Sequence, residues 1–430
     1  MLRLPCCPLL FLLLAGTAQG RCLPPEVQDP KPPKSREQDE LVQQYLELDA
    51  RTEAGRPEQL AILARLDTLE PLRVSELKSW QKKLAKFHAK GRKLPTGSGR
   101  HWFWEDEERG LYIVGGETSR PKGLLLGMHG GGVGSGDAGS SAATMTRAAE
   151  ALGWVAIFPE VLEKTERGWT DSGTEEFVLS LVDAALRTWK IDPDHVYFSG
   201  HSMGGYGTWT LGAHHADRVA ALAPSAGAPT PVLNRKNEVV DLAKGVIPSL
   251  RNVPMVIYQS DDDPRVPPEP NRVAAKKLVE AAEKWGGFEH EYWEVTGRGH
   301  DLPPGGFEAL LAKIAGYSRN PVPDKIVWQP ALAWKRQFYW LYWETPVRNA
   351  IVEARLDRPN NAIRISGDSL DGLQVLLDSR IVDMDKEVSI FVNGERTCSA
   401  VPEPRLSTLV LTGHDGDPAR MFVARLPVRQ

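Results

Sequence analysis

Between Glu37 and Lys90 apolar residues recur every three or four positions: Leu41, Tyr45 and Leu48, then Leu60, Leu63, Leu66 and Leu69, then Leu77, Trp80, Leu84 and Phe87. That spacing aligns each set on one stripe of a helix, so residues 36–95 are expected to form two or three amphipathic helices. Gly91 and the proline and glycines of 95–99 break the pattern. From about Trp102 to Tyr317 short apolar runs replace it, at 124–128, 155–158, 196–199, 220–223, 255–259 and 289–295, with helix-like stretches such as 175–189 and 271–285 between them. Strands alternating with helices predict a mainly parallel sheet flanked by helices over residues 96–320, because parallel neighbours need a crossover. After Pro321 and Pro323, short alternating runs at 350–356, 362–365, 388–392 and 408–411 are separated by the turn signals Asn360-Asn361, Asn393-Gly394 and Asp415-Gly416. Residues 321–430 are therefore expected to be a small β-sandwich.

At 430 residues the chain has room for several such units, and 41% apolar with 25% charged residues is the balance of a folded protein. A net charge of −4 with no basic stripe argues against a nucleic-acid partner. At the N-terminus Arg3 precedes an apolar run from Leu9 to Ala15, and Ala18-Gln19-Gly20 places small residues where a signal peptidase reads them. Residues 1–20 are expected to be a removed signal peptide, since the run is too short to span a bilayer. The mature chain would then be secreted or periplasmic, without stable membrane insertion. Arg21 stands where lipoprotein processing would want a small residue before Cys22. Residues 21–35, rich in proline and charge, are expected to be a flexible leader. Cys6 and Cys7 leave with the signal, and Cys22 and Cys398 are either disulfide partners or free thiols.

The most specific chemical signal is Gly200-His201-Ser202-Met203-Gly204, directly after the run 196–199 and before a helix-like stretch. Strand, sharp turn and helix in that order are the setting of a nucleophile elbow, which lifts a serine out of the fold. The Met203 N–H would open the following helix, where unpaired donors favour an oxyanion. A serine hydroxyl needs an imidazole to take its proton. His300, in Gly297-Arg298-Gly299-His300-Asp301 after the last apolar run, is the candidate base. The carboxylate that orients it should lie in the loop after 255–259, where Asp261, Asp262 and Asp263 compete. Asp263 is favoured because Asp-Pro-x-Val-Pro fixes the backbone after it. Asp261 and Asp262 then read as solvated loop charges. The run His129-Gly130-Gly131-Gly132 offers a second oxyanion donor, the N–H of Gly131 or, failing that, of Gly132. A dinucleotide loop is a poorer reading of these glycines, because the spacing into a helix and a later acidic residue are lacking.

Segment 197–227, with Ser-Gly-His-Ser-Met-Gly-Gly-Tyr-Gly-Thr-Trp and the later Ala-Leu-Ala-Pro-Ser-Ala-Gly, resembles the bacterial esterase and "predicted peptidase" branch of the α/β hydrolases, related to polyhydroxybutyrate depolymerases and feruloyl esterases. His129-Gly130, Ser202, Asp263 with Val266, and Gly299-His300 follow that family's order. The resemblance covers roughly the middle half of the chain and implies an α/β-hydrolase core, to which the patterns above add an N-terminal helical segment and a small C-terminal β-sandwich. It further implies hydrolysis of carboxylic esters, small-molecule or polymeric, through an acyl-enzyme on Ser202, His300 and Asp263, with no metal or organic cofactor. The chain departs from the pattern at Tyr258-Gln259-Ser260, where a His-Gly pair is usual.

His129 and Trp169 are candidate substrate-binding residues, although Trp169, in a glycine-flanked loop, reads equally as core filling. Trp328, Trp334, Trp340 and Trp343, with Phe338, Tyr339 and Tyr342, cluster after the α/β unit and are expected to join it to the tail more than to stack on sugars. Two other functions are compatible with the residues: a serine peptidase using the same groups, and a noncatalytic protein whose tail binds glycan or protein.

Overall fold

The computed structural model describes residues 32–48 and 55–429. The expected signal peptide, most of the leader and Cys22 lie outside them. Three helices come first, α1 Ser35–Glu47, α2 Arg56–Asp67 and α3 Val74–Ala89. They bury Tyr45, Leu63, Leu66, Trp80 and Leu84 as the periodicity predicts, but Leu60 is exposed and Ile62 is buried. The apolar face of α2 is thus turned from the predicted stripe.

The central sheet has eight strands. Its first six are β1 Gly99–Trp104, β2 Arg109–Gly116, β3 Gly123–Met128, β4 Trp154–Pro159, β5 Val196–His201 and β6 Ala221–Ser225. A separate hairpin, β7 Pro231–Leu233 and β8 Val239–Leu242, precedes the last two, β9 Met255–Ser260 and β10 His290–Val295. The spatial order is β1-β2-β4-β3-β5-β6-β9-β10, with β2 antiparallel to both neighbours and the other pairs parallel. Helices α4 Ala138–Ala151 and α8 Gly306–Ile314 cover one face, where Leu125, Phe158 and Tyr197 point. Helices α5 Thr174–Trp189, α6 Met203–His214 and α7 Glu269–Trp285 cover the other, against Leu124, Leu126 and Phe198. Burial on both faces is why β3 to β6 read as continuous apolar runs. The result is an α/β-hydrolase core with an N-terminal helical segment and additional small sheets.

Beyond the core, a five-stranded sheet orders Lys325–Trp328, Val352–Asp357, Ala362–Ser366, Val388–Val392 and Glu395–Ala400, and a four-stranded one orders Gln337–Phe338, Leu341–Trp343, Leu373–Leu377 and Ala424–Pro427. Trp328 of the first stacks on Phe338 and meets Trp343 edge-on in the second. The expected strand at 408–411 is instead part of a helix, α9 Leu406–Thr412. All seven of its residues are buried, so its alternation could not report a face. Helix α9 packs on the N-terminal helices. Arg425 pairs with Asp67 at 2.8 Å, Ser407 bonds to the same carboxylate, and the Leu72 N–H donates to the Pro404 carbonyl at 2.7 Å.

The aromatic cluster is interior glue. Trp328, Phe338, Tyr339, Trp340, Tyr342 and Trp343 are buried, and half-buried Trp334 stacks on His215 from the end of α6.

Candidate active site

Ser202 is the single residue between β5 and α6. Its backbone is at φ 59° and ψ −122°, a conformation that costs a non-glycine residue about 1–3 kcal/mol. Neighbours hold it there. The Ser202 N–H donates to the Ser225 carbonyl at 2.9 Å, and its own carbonyl accepts from Gly205 at 2.8 Å and Tyr206 at 3.1 Å. A Cβ at Gly204 would drive into the Met128 carbonyl oxygen at the end of β3, so the helix can approach the strand only with glycine there.

The loop after β3 lies against this elbow. A Cβ at Gly130 would stand 3.0 Å from the His201 carbonyl oxygen and 3.2 Å from Ser202 Cβ. Gly131, the expected oxyanion donor, is the next residue. Met203, the other expected donor, opens α6, where the first N–H groups have no acceptor within the helix.

His300, in the loop after β10, has Nε2 2.9 Å from Ser202 Oγ and Nδ1 2.7 Å from Asp263 Oδ2. The Asp263 side chain is fully buried, and its Oδ1 accepts the N–H groups of Arg265 at 2.8 Å and Val266 at 2.9 Å. Because the carboxylate can only accept when ionised, it fixes the proton on Nδ1 and leaves Nε2 facing the serine hydroxyl as an acceptor. Three residues up to 98 positions apart in the chain are thereby brought into one line.

Neighbouring groups brace that line. Asp262 is exposed, yet its Oδ1 accepts the Gly299 N–H at 2.8 Å and the Ser260 hydroxyl at 2.6 Å, while Ser260 Oγ accepts the Arg298 N–H at 3.1 Å. Asp261 accepts from Thr296 Oγ1 at 2.9 Å. Both aspartates, expected to be solvated charges, tie down the loop that carries His300. Gln259, at the departure from the family pattern, is fully buried. Its Nε2 donates to the Val266 carbonyl at 2.9 Å, and its Oε1 accepts from Asn271 of α7 at 2.8 Å. It closes the turn around Asp263 from inside. A run of three aspartates was a visible signal for the loop, but nothing local marked Gln259 and Asn271 as partners.

His201 packs its ring 4.9 Å from that of His300, with Nδ1 2.9 Å from Ser225 Oγ. Burial, with the adjacent His300, pushes its pKa down to about 4, so it stays neutral around pH 7.

His129 and Trp169, the candidate substrate-binding residues, are held in the interior beside the glycine loop. Each is 1% exposed. Trp169 Nε1 donates to the His129 carbonyl at 3.1 Å, the Val161 N–H donates to His129 Nε2 at 3.2 Å, and His129 Nδ1 then donates to the Gly130 carbonyl at 2.8 Å. Together they stiffen the glycine loop from behind. Among the described residues no group of three or more His, Cys, Asp or Glu is arranged to hold a metal ion, and no helix is long and apolar enough to cross a membrane.

The chain matches no protein-family model and no curated protein. Among solved structures it is similar to a thermostable esterase, at 19% identity and a TM-score of 0.39, over 52% of this chain and 63% of that one. It thus spans less than two thirds of that esterase. It is also similar to a ferulic acid esterase from Anaeromyces mucronatus, at 15% identity and a TM-score of 0.38, over 51% and 90% of the two chains. A phospholipase/carboxylesterase from Dyadobacter fermentans aligns at 17% identity and a TM-score of 0.34, over 47% and 95%.

Proposed function

We propose that this chain is an exported serine hydrolase that cleaves carboxylic esters through an acyl-enzyme. The observation that carries the reading is the continuous line from Ser202 Oγ through the His300 ring to buried Asp263, at 2.9 and 2.7 Å. As Ser202 Oγ bonds to the ester carbonyl carbon, its proton passes to His300 Nε2, and Asp263 stabilises the imidazolium. The carbonyl oxygen becomes an oxyanion, held by the N–H groups of Met203 and Gly131. Collapse breaks the bond to the alcohol, which leaves with the proton from Nε2. Water then repeats the sequence on the acyl-serine, releasing the acid and restoring Ser202. The strained Ser202 backbone supports this role, because strain held in place by neighbours gathers where geometry is put to use.

Purified protein is assayed against acetyl, butyryl, feruloyl and peptidyl substrates, beside Ser202→Ala. Ester turnover falling about 10⁴-fold or more in the variant, with fluorophosphonate labelling of Ser202 in the parent, is the expected result. Turnover of peptides but not esters would make it a peptidase. No turnover and no labelling would refute the catalytic reading.

A further inference from the structure

A cavity of about 550 Å³ lies where the N-terminal helices, α5 and the C-terminal sheets meet, and Ser202, Asp263 and His300 are not among its lining residues. His215, one residue past α6, is in its wall. Helix α6 has 12 residues, so the cavity is about 18 Å along the helix from the serine.

The wall carries more cations than carboxylates. Eight lysines and arginines line it against three carboxylates, Glu47, Asp183 and Asp415. Within the wall Asp183 pairs with Arg218 and Asp415 with Arg420, at 2.8 Å, and two carboxylates behind it offset a further part of the charge. Asp217 pairs with both Lys335, at 2.7 Å, and Arg420, while Glu344 pairs with both Arg56 and Arg336. Burial, with the Arg218 guanidinium nearby, holds the Lys335 ammonium well below the ordinary lysine range, and burial pushes Arg420 down to about 10. Cations in that state gain from an incoming anion.

A second, independent feature points to what the anion carries. Three lining residues have a buried polar atom with no hydrogen-bond partner: His215 Nδ1, His88 Nε2 and Gln337 Oε1. His215 is 0% exposed, and its Nε2 lies 3.1 Å from Glu175. With that nitrogen donating to the carboxylate, Nδ1 is an acceptor, as is the Gln337 carbonyl oxygen. Buried acceptors without partners call for O–H donors.

We propose that this cavity is a second binding site, for a small hydroxylated oxyanion: a sugar or polyol bearing a phosphate or a carboxylate. The charged group sits against Lys335, Arg218 and Arg420, and hydroxyls reach His215 Nδ1 and Gln337 Oε1. The volume is within the range of about 300–1,000 Å³ that holds such molecules. Lys90 and Arg92, both exposed, stand at its rim and draw the anion in.

The test is calorimetric titration of the full chain with glucose 6-phosphate, glucuronate, inorganic phosphate and glucose. Saturable binding of glucose 6-phosphate or glucuronate, at about 1 mM or tighter and about tenfold tighter than glucose, is expected. Whichever of the two binds more tightly identifies the charged group. Ser180→Tyr puts a ring into the cavity from α5, where the hydroxyl it replaces bonds only within its own helix at 2.9 Å. It should weaken binding about tenfold or more, while Ser202→Ala leaves it unchanged. Should Ser180→Tyr lower the melting temperature, Lys90→Gln with Arg92→Gln at the exposed rim is read in its place, with about threefold weakening expected. Three results overturn the proposal: no saturable heat with either anion up to about 10 mM, which leaves a cavity filled with water; binding that neither substitution alters; or binding lost in Ser202→Ala and kept in Ser180→Tyr.

Discussion

At one end of α6, Ser202 sits half-buried in a strained backbone, with its hydroxyl facing His300. At the other, His214 and His215 share Glu175, Arg218 pairs with Asp183, and Asp217 gathers Lys335 and Arg420, all in a web buried between the core and the C-terminal module. The first end holds its polar groups in one line that stops at solvent. The second uses them to join distant parts of the chain. One helix thus separates the end proposed to react from an end that holds the chain together, and the two should fail in different ways.

Breaking the second end costs most. Asp217→Ala leaves Lys335 and Arg420 buried without their shared carboxylate, and a loss of about 3–5 kcal/mol in denaturant unfolding is expected. A loss below about 1 kcal/mol would show that the web holds nothing together. Gly204→Ala attacks the first end by pushing a methyl into the Met128 carbonyl. It should cost about 2–3 kcal/mol and lower turnover about 100-fold, and unchanged kcat would show that the elbow tolerates a looser turn.

His201 sharpens the contrast through pH. Its folded pKa, down to about 4, lies below the ordinary histidine value, so between about pH 6.5 and 4 the unfolded chain binds the extra proton and stability rises with pH. With allowance for its partial exposure, this imidazole contributes about 2 kcal/mol across that window. In His201→Gln the stability slope over that range should flatten, and a slope matching the parent would remove His201 as its source. Smallest is Asp262→Ala, which frees the Gly299 N–H beside His300. About 1 kcal/mol in stability and a roughly tenfold fall in kcat with KM little changed are expected. A rise in KM alone would assign Asp262 to substrate contact.

The same contrast explains what the sequence disclosed. The elbow was legible because its constraints are local: Gly200 to Gly204 follow one strand and open one helix. His300 and Asp263 were legible by position after the later strands. Strands β1 and β2 escaped because they are partly exposed and antiparallel, without the continuous apolar runs of their neighbours. His129 and Trp169 were found as residues of interest, but composition could not show that they face inward. The web around Asp217 had no signature at all, since Lys335 and Arg420 lie 118 and 203 positions away and meet it only when the chain is folded.

Asp67, near the start of the described chain, takes its partners Ser407 and Arg425 from the last quarter, across as many as 358 positions. That gives assembly a direction in time. A chain made from its N-terminus must complete nearly its whole length before α2 meets the surface it covers, and contacts of such separation form slowly. Until then the apolar faces of the early helices are uncovered, and it is during synthesis, not in the finished molecule, that this protein depends most on being kept from sticking to others.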